Sequence, residues 1–256
     1  MSKAFLSSEP EVTVTYNQIV RKILSLDRAP MVTNIMATTR LVAFLSAVSF
    51  SAGGFADTQI QSLRVDVWAD NWFALYVGET LVAEDSVSIQ TERSFNAESF
   101  TLELKLPAQV NLVIKDFKQN DTGLEYIGTN RQQMGDGGFI AQFLDTATQS
   151  PLLVSNRHWR CLPIHIAPLN KQCEKSNTPE ADCGNRTIPA PDGWQLPSFD
   201  DSAWPVAIEY SAQKVRPKDG YKRIRWDKDA RLIWSSDLET DNTLLCRVTL
   251  TDQGIR

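Results

Sequence analysis

The sequence predicts an all-β fold, an antiparallel β-sandwich, on three observations. Apolar and polar residues alternate over short runs, turn-forming residues separate those runs, and no long amphipathic helix competes with them. Of the 256 residues, those after Ala56 number 200. A chain of that size buries roughly 70 per cent of its unfolded surface, and all-β sandwiches of this length are commonly one domain.

The N-terminal part does not read as part of that domain. Residues 1–35 carry no turn-punctuated strand pattern and are expected to be an over-long start of the reading frame, upstream of Met31 or Met36, or a disordered segment. A cytoplasmic tail before a signal anchor is the alternative. From Met36 the chain has a short positive stretch ending at Arg40, an apolar run from Leu41 to Phe50, and the small residues of Ser51-Ala52-Gly53-Gly54-Phe55-Ala56. The run is shorter than the ~20 residues a membrane-spanning helix needs, and the order is that of a secretory signal peptide. We therefore expect a signal peptide over 36–56, cleavage after Ala56, and an exported (secreted or periplasmic) domain over 57–256 with no transmembrane segment.

Charge narrows the partners. The chain has 26 basic and 31 acidic residues; with five basic and three acidic ones in the first 56, the remainder carries 21 and 28, a net charge of −7. Non-specific nucleic-acid affinity comes from clustered Lys and Arg neutralising phosphates, so no nucleic-acid partner is expected.

Taken in order, Leu63 to Trp68 alternates, Ala69-Asp70-Asn71 turns, and Trp72 to Val77 alternates again before Gly78, which together read as a hairpin. Counting by twos puts Val65, Val67, Phe73, Leu75 and Val77 on one face and Trp68, Trp72 and Tyr76 on the other. Either a neighbouring loop covers that aromatic strip, because large exposed apolar patches are rare in monomers, or the strip is a ligand platform with Asp70 and Asn71 beside it. Phe100 to Leu106 is a strict period-two strand, and Val110 to Phe117 a more continuously apolar one. The glycines of Gly135-Asp136-Gly137-Gly138 precede an apolar strand. Phosphate-cradling loops need a following helix or a Lys-Ser/Thr pair; neither is present, so a tight turn is expected.

Residues 170–193 are polar and proline-rich and read as a long loop. The four cysteines, Cys161, Cys173, Cys183 and Cys246, all follow the expected signal peptide, so two disulfides are expected. Three connectivities are possible; Cys173–Cys183, closing the polar loop, with Cys161–Cys246 is favoured. The spacing lacks the C-x-x-C knuckle of zinc sites, and His158 and His165 stand at no ligand interval from the cysteines, so neither a metal nor a cofactor is expected. Two more strands, Ala230 to Ser235 and Thr243 to Leu250, close the chain around the acidic turn from Ser236 to Asn242.

The segment from Gly193 to Pro205 is the most distinctive. Trp194, Phe199 and Trp204 are large apolar anchors, and Asp200, Asp201 and Ser202 have short side chains that accept backbone hydrogen bonds in a capped turn. The adjacent carboxylates could be read as the acid and base of glycoside hydrolysis, which stand about 5 to 10 Å apart. Neighbours in a turn point apart, and a structural turn is the reading preferred here. The pattern W…P.FDDS.W in this segment resembles that of galactose-binding-like β-sandwich (jelly-roll) domains, including the sugar-binding domains of β-galactosidase and β-glucuronidase type glycoside hydrolases. Asp70 to Gly78 is similar to the hairpin with which such domains open, except that Gly78 follows Val77 where an Asn is usual. Val110 to Phe117, Gly137 to Ala141 and the short runs Ile233-Trp234-Ser235 and Cys246-Arg247 extend the likeness over most of residues 60–250.

The resemblance implies an accessory binding domain, since catalysis in the parent enzymes belongs to another domain. No nucleophilic triad is visible around His158 or His165, so the chain is not expected to be an enzyme. The expected function is a non-catalytic module binding carbohydrate, with Trp68, Asp70, Asn71, Trp72 and Tyr76 as candidate ligand residues. A structural or protein-interaction role in the cell envelope is the alternative, and a hydrolase with an unrecognised site comes third.

Overall fold

The computed structural model describes residues 60–90, 96–252 and 254–255; the expected signal peptide and residues 1–35 lie outside them. The chain forms β1 (Ile60–Asp70), β2 (Trp72–Val77), β3 (Thr80–Glu84), β4 (Ala97–Lys105) and β5 (Ala108–Lys115), then the short β6 (Leu124–Glu125) and β7 (Gln133–Met134). After these come β8 (Gly138–Asp145), β9 (Pro151–Val154), β10 (Arg160–Ile166), the single turn α1 (Pro179–Asp182) and β11 (Arg186–Thr187). The C-terminal part holds β12 (Ile208–Tyr210), the single turn α2 (Ala212–Val215), β13 (Leu232–Trp234), β14 (Asp241–Thr251) and β15 (Gly254–Ile255). Among the described residues no helix is long and apolar enough to cross a membrane.

The fold is all-β. One sheet runs β12-β13-β8-β1-β4 with β9 on β8, and the other runs β11-β10-β14-β5-β2-β3 with β15 on β14. Their pairings are antiparallel, in a sandwich-like arrangement compatible with a jelly roll. Because side chains alternate across a strand, the register decides what meets in the middle. From the first sheet Val65 stands opposite Phe143 and Phe100, and Val67 opposite Ala141. From the second, Leu75 stands opposite Leu112, which itself faces Cys246. All of these side chains except Phe100, which is half-buried and packs against them, join Leu63, Phe73, Val110, Ile114, Leu244 and Val248 in one buried cluster. At ~25 cal/mol per Å² of apolar surface, this interlayer is the main stabilising contribution.

The expected hairpin is a corner. β1 pairs with β4 and β8, whereas β2 pairs with β3 and β5 in the opposite sheet. The inward set Val65, Val67, Phe73, Leu75 and Val77 still faces or packs against the core, but from both sides of it. A strand that switches sheets at a sharp bend has the same local alternation as a hairpin, so the pattern carried the burial and not the pairing. Trp68 therefore lies on the outer face of one sheet, and Trp72 and Tyr76 on the outer face of the other.

Both favoured disulfides form, which fits an oxidising compartment. Cys161 and Cys246 are register partners on β10 and β14 inside the core. Cys173–Cys183 closes the polar loop and packs with Leu124, Ile127 and Met134. On the outer face of the second sheet, Trp194 and Trp204 stack at 6.3 Å and Phe199 meets Trp204 edge-on at 5.6 Å, over Leu245, Val113 and Leu162.

Candidate functional site

At the corner between β1 and β2 the chain must leave one sheet and enter the other, and its polar groups are tied to the end of β5. Asn71 N–H donates to the Lys115 carbonyl at 2.7 Å, and Phe117 N–H donates to Asn71 Oδ1 at 2.6 Å. The residue after β5, Asp116, donates its own N–H to the Asn242 carbonyl at 2.9 Å. These latches place the carboxylates of Asp70, the last residue of β1, and Asp116 side by side. A third arrives from the glycine turn before β8, where Gly137 N–H donates to the Leu238 carbonyl at 3.0 Å. Gly135 is needed here for close approach: a Cβ at that position would stand 1.7 Å from Asp116 Oδ2.

One carboxylate oxygen each from Asp70, Asp116 and Asp136 lies within 4.8 Å of the others. Asp70 and Asp116 are buried, and Asp136 is half-exposed at the rim. Lys218, in the segment after α2, reaches over them with Nζ 2.9 Å from Asp136 Oδ1 and 3.3 Å from Asp70 Oδ2. Asp116 is 2% exposed and neither of its oxygens accepts a hydrogen bond. Glu125 on β6 is also buried, and its Oε2 accepts from Gln133 Nε2 at 2.8 Å.

The electrostatics follow from packing carboxylates where water is excluded. Burial, and then the neighbouring Asp136, push Asp70 up to about 8 against the opposing pull of Lys218. Asp116 is raised well above the usual carboxylate range, chiefly by burial and then by Asp70, Glu125 and Asp136. Burial works against the Lys218 ammonium, yet Asp70 and Asp136 outweigh it and hold the proton more tightly than usual. The donor set is oxygen only, the chemistry of a hard cation or of shared protons.

Asp136 and Gly135 also line an open groove of about 210 Å³, with Gln133, Glu174, Lys214, Arg216 and Glu239 among its walls. A neighbouring depression of about 180 Å³ shares Lys214, Leu238 and Glu239 and adds Lys171, Tyr210 and Asp237. Glu174 comes from the loop closed by Cys173–Cys183, so that loop forms one wall. Lys171 is held to Glu239 at 2.7 Å and to Asp237 at 2.8 Å.

The residues singled out in the sequence are dispersed. Trp68 is fully buried, its Nε1 donating to the Asp219 carbonyl at 3.1 Å and its ring meeting Tyr221 edge-on at 5.7 Å. Trp72 is half-buried beneath Lys115, whose Nζ lies 4.6 Å from the ring, and Tyr76 is half-buried further along β2. The three aromatics therefore form no common surface. Asp70 and Asn71 are buried at the corner. In the central turn Asp200 Oδ1 accepts from Ser202 N–H at 2.9 Å, while Asp201 faces Arg247 and Arg160. His158 is exposed in a turn, and His165 meets Asn242 Oδ1 through Nδ1 at 3.0 Å.

Of the acidic centre, the sequence reading found Asp70 for a different reason and missed Asp116, Asp136 and Lys218. The available signals were weak: a carboxylate ending an apolar strand, and another enclosed by glycines. Compared with known proteins, the chain matches no family model, no curated protein and no solved structure.

Proposed function

We propose that this chain is an exported, non-catalytic binding module of the galactose-binding-like kind, and that it takes a carbohydrate in the groove beside Asp136. The observation that carries this reading is the mixed lining of the groove. Lys214 and Arg216 offer only donors, while Glu174 and Glu239 offer acceptors to the same space. Sugar hydroxyls both donate and accept, so alternating groups of this kind fit them better than they fit an anion or an apolar ligand. Tyr210 in the adjoining depression adds a ring against which an apolar sugar face can rest. The groove takes the place of the Trp68, Trp72 and Tyr76 strip, because Trp68 is buried on the other sheet, apart from Trp72 and Tyr76. The resemblance carried by Gly193 to Pro205 and by Gly137 to Ala141 supports the same class.

A glycan array probed with the exported protein tests the reading. Retention of a glycan class is expected, with affinity reduced about tenfold, or 1.4 kcal/mol, when Lys214→Ala and Arg216→Ala are combined. A protein that retains no glycan but co-purifies with an envelope protein would replace this reading with the interaction role.

A further inference from the structure

The acidic centre gathers more carboxylates than ammonium groups. Three carboxylates, Asp70, Asp116 and Asp136, converge within 4.8 Å, and among the described residues the Lys218 ammonium is ion-paired with two of them, Asp70 and Asp136. Asp116 stands apart from that pairing: 2% exposed, it directs an oxygen into the cluster and accepts no hydrogen bond there. A buried polar group without a partner is destabilising and uncommon in native proteins.

We propose that Asp70, Asp116 and Asp136 form a calcium site, with Lys218 as the counter-ion that the metal displaces. The donor atoms are all oxygen, which selects a hard cation over zinc or copper. Oxygens within 4.8 Å of one another fit around an ion at the 2.3–2.6 Å distances of calcium. Burial of Asp70 and Asp116 restricts the number of waters the ion can keep. Magnesium dehydrates reluctantly and holds several waters, whereas calcium accepts a site built largely from protein oxygens. Entry is from the rim, where the side chains of Asp136 and Lys218 are 41% and 34% exposed, so the lysine can leave without opening the core. The bound ion would fasten the β1–β2 corner, the end of β5 and the glycine turn together. This inference does not depend on what the groove binds.

The test uses the purified full chain with both disulfides formed, stripped with a chelator and then titrated with calcium or magnesium by calorimetry and thermal unfolding. Calcium is expected to raise Tm and to bind more tightly than magnesium. Asp136→Asn, at the half-exposed rim, should fold and weaken calcium binding by about tenfold or more, since affinity follows ligand charge. Lys218→Met removes a competing unit charge and should tighten binding by about tenfold. A purely structural cluster would show neither opposite-signed effect. An unchanged Tm in millimolar calcium, or a calcium effect insensitive to both substitutions, overturns the proposal; magnesium binding as tightly as calcium overturns the choice of ion.

Discussion

Arg247 Nε donates to Asp201 Oδ2 at 2.8 Å, joining the middle of β14 to the turn that lies across its outer face. The arginine side chain is 1% exposed, and its Nη2 also donates to the Leu196 carbonyl at 3.2 Å and the Phe199 carbonyl at 3.4 Å. The turn is therefore held by a buried charge as well as by its aromatic rings. Asp200 and Asp201, adjacent in sequence, serve different partners.

Removing Asp201 leaves the Arg247 guanidinium buried without its counter-ion. Such a loss costs about 3 kcal/mol or more, greater than a lost turn cap. Asp201→Ala is expected to lower the urea midpoint accordingly, whereas Asp200→Ala, whose carboxylate stands in solvent, should have a much smaller effect. Equal midpoints for the two variants would show that the ion pair contributes nothing.

Trp204 is 7% exposed and sits between Trp194 and Phe199. Trp204→Ala should destabilise by about 3–5 kcal/mol, the range for truncating a buried aromatic. Equilibrium unfolding followed by fluorescence measures it. Unchanged stability with loss of ligand binding would make the ring a binding platform instead of an anchor.

The two disulfides close loops of different length. Cys161 and Cys246 are 85 residues apart, and Cys173 and Cys183 are 10 apart. On the chain-entropy model they contribute about 4.6 and about 2.7 kcal/mol. Replacing Cys173 and Cys183 together by Ala should give a folded protein with a modestly lower Tm, while the same change at Cys161 and Cys246 should cost distinctly more, because it also empties part of the core. The reverse order of Tm values would contradict this.

Acid titration should leave a recognisable mark on stability. Burial, and secondarily Glu98, raise Asp85 to about 7, against the pull of the Val87 N–H that its Oδ1 accepts. The unfolded carboxyl titrates near 3.9. Between about pH 4 and 7 the folded state thus holds a proton that the unfolded state has lost, so this group's stabilisation declines as pH rises through that window and is gone above it. In calcium-free buffer Asp70, raised to about 8, acts in the same direction. Asp85→Asn should raise Tm at pH 8 and reduce the fall between pH 4 and 7; an unaltered Tm–pH profile would refute the assignment.

Period-two alternation determined from the sequence alone that Val65, Val67, Phe73, Leu75 and Val77 turn inward, because burial of one strand face is written locally in every second residue. The even cysteine count made two disulfides legible and favoured Cys173–Cys183 with Cys161–Cys246 among three connectivities, but the choice was made by the fold, which sets Cys161 opposite Cys246 on β10 and β14. Only the tertiary structure decided that β1 and β2 belong to opposite sheets, for a bend at Asp70-Asn71 reads the same whether the next strand pairs back or crosses the core. That crossing separates Trp68 from Trp72 and Tyr76. It also brings Asp70 against Asp116, Asp136 and Lys218, residues from distant segments whose convergence depends on non-local strand pairing and leaves no periodic trace in the chain.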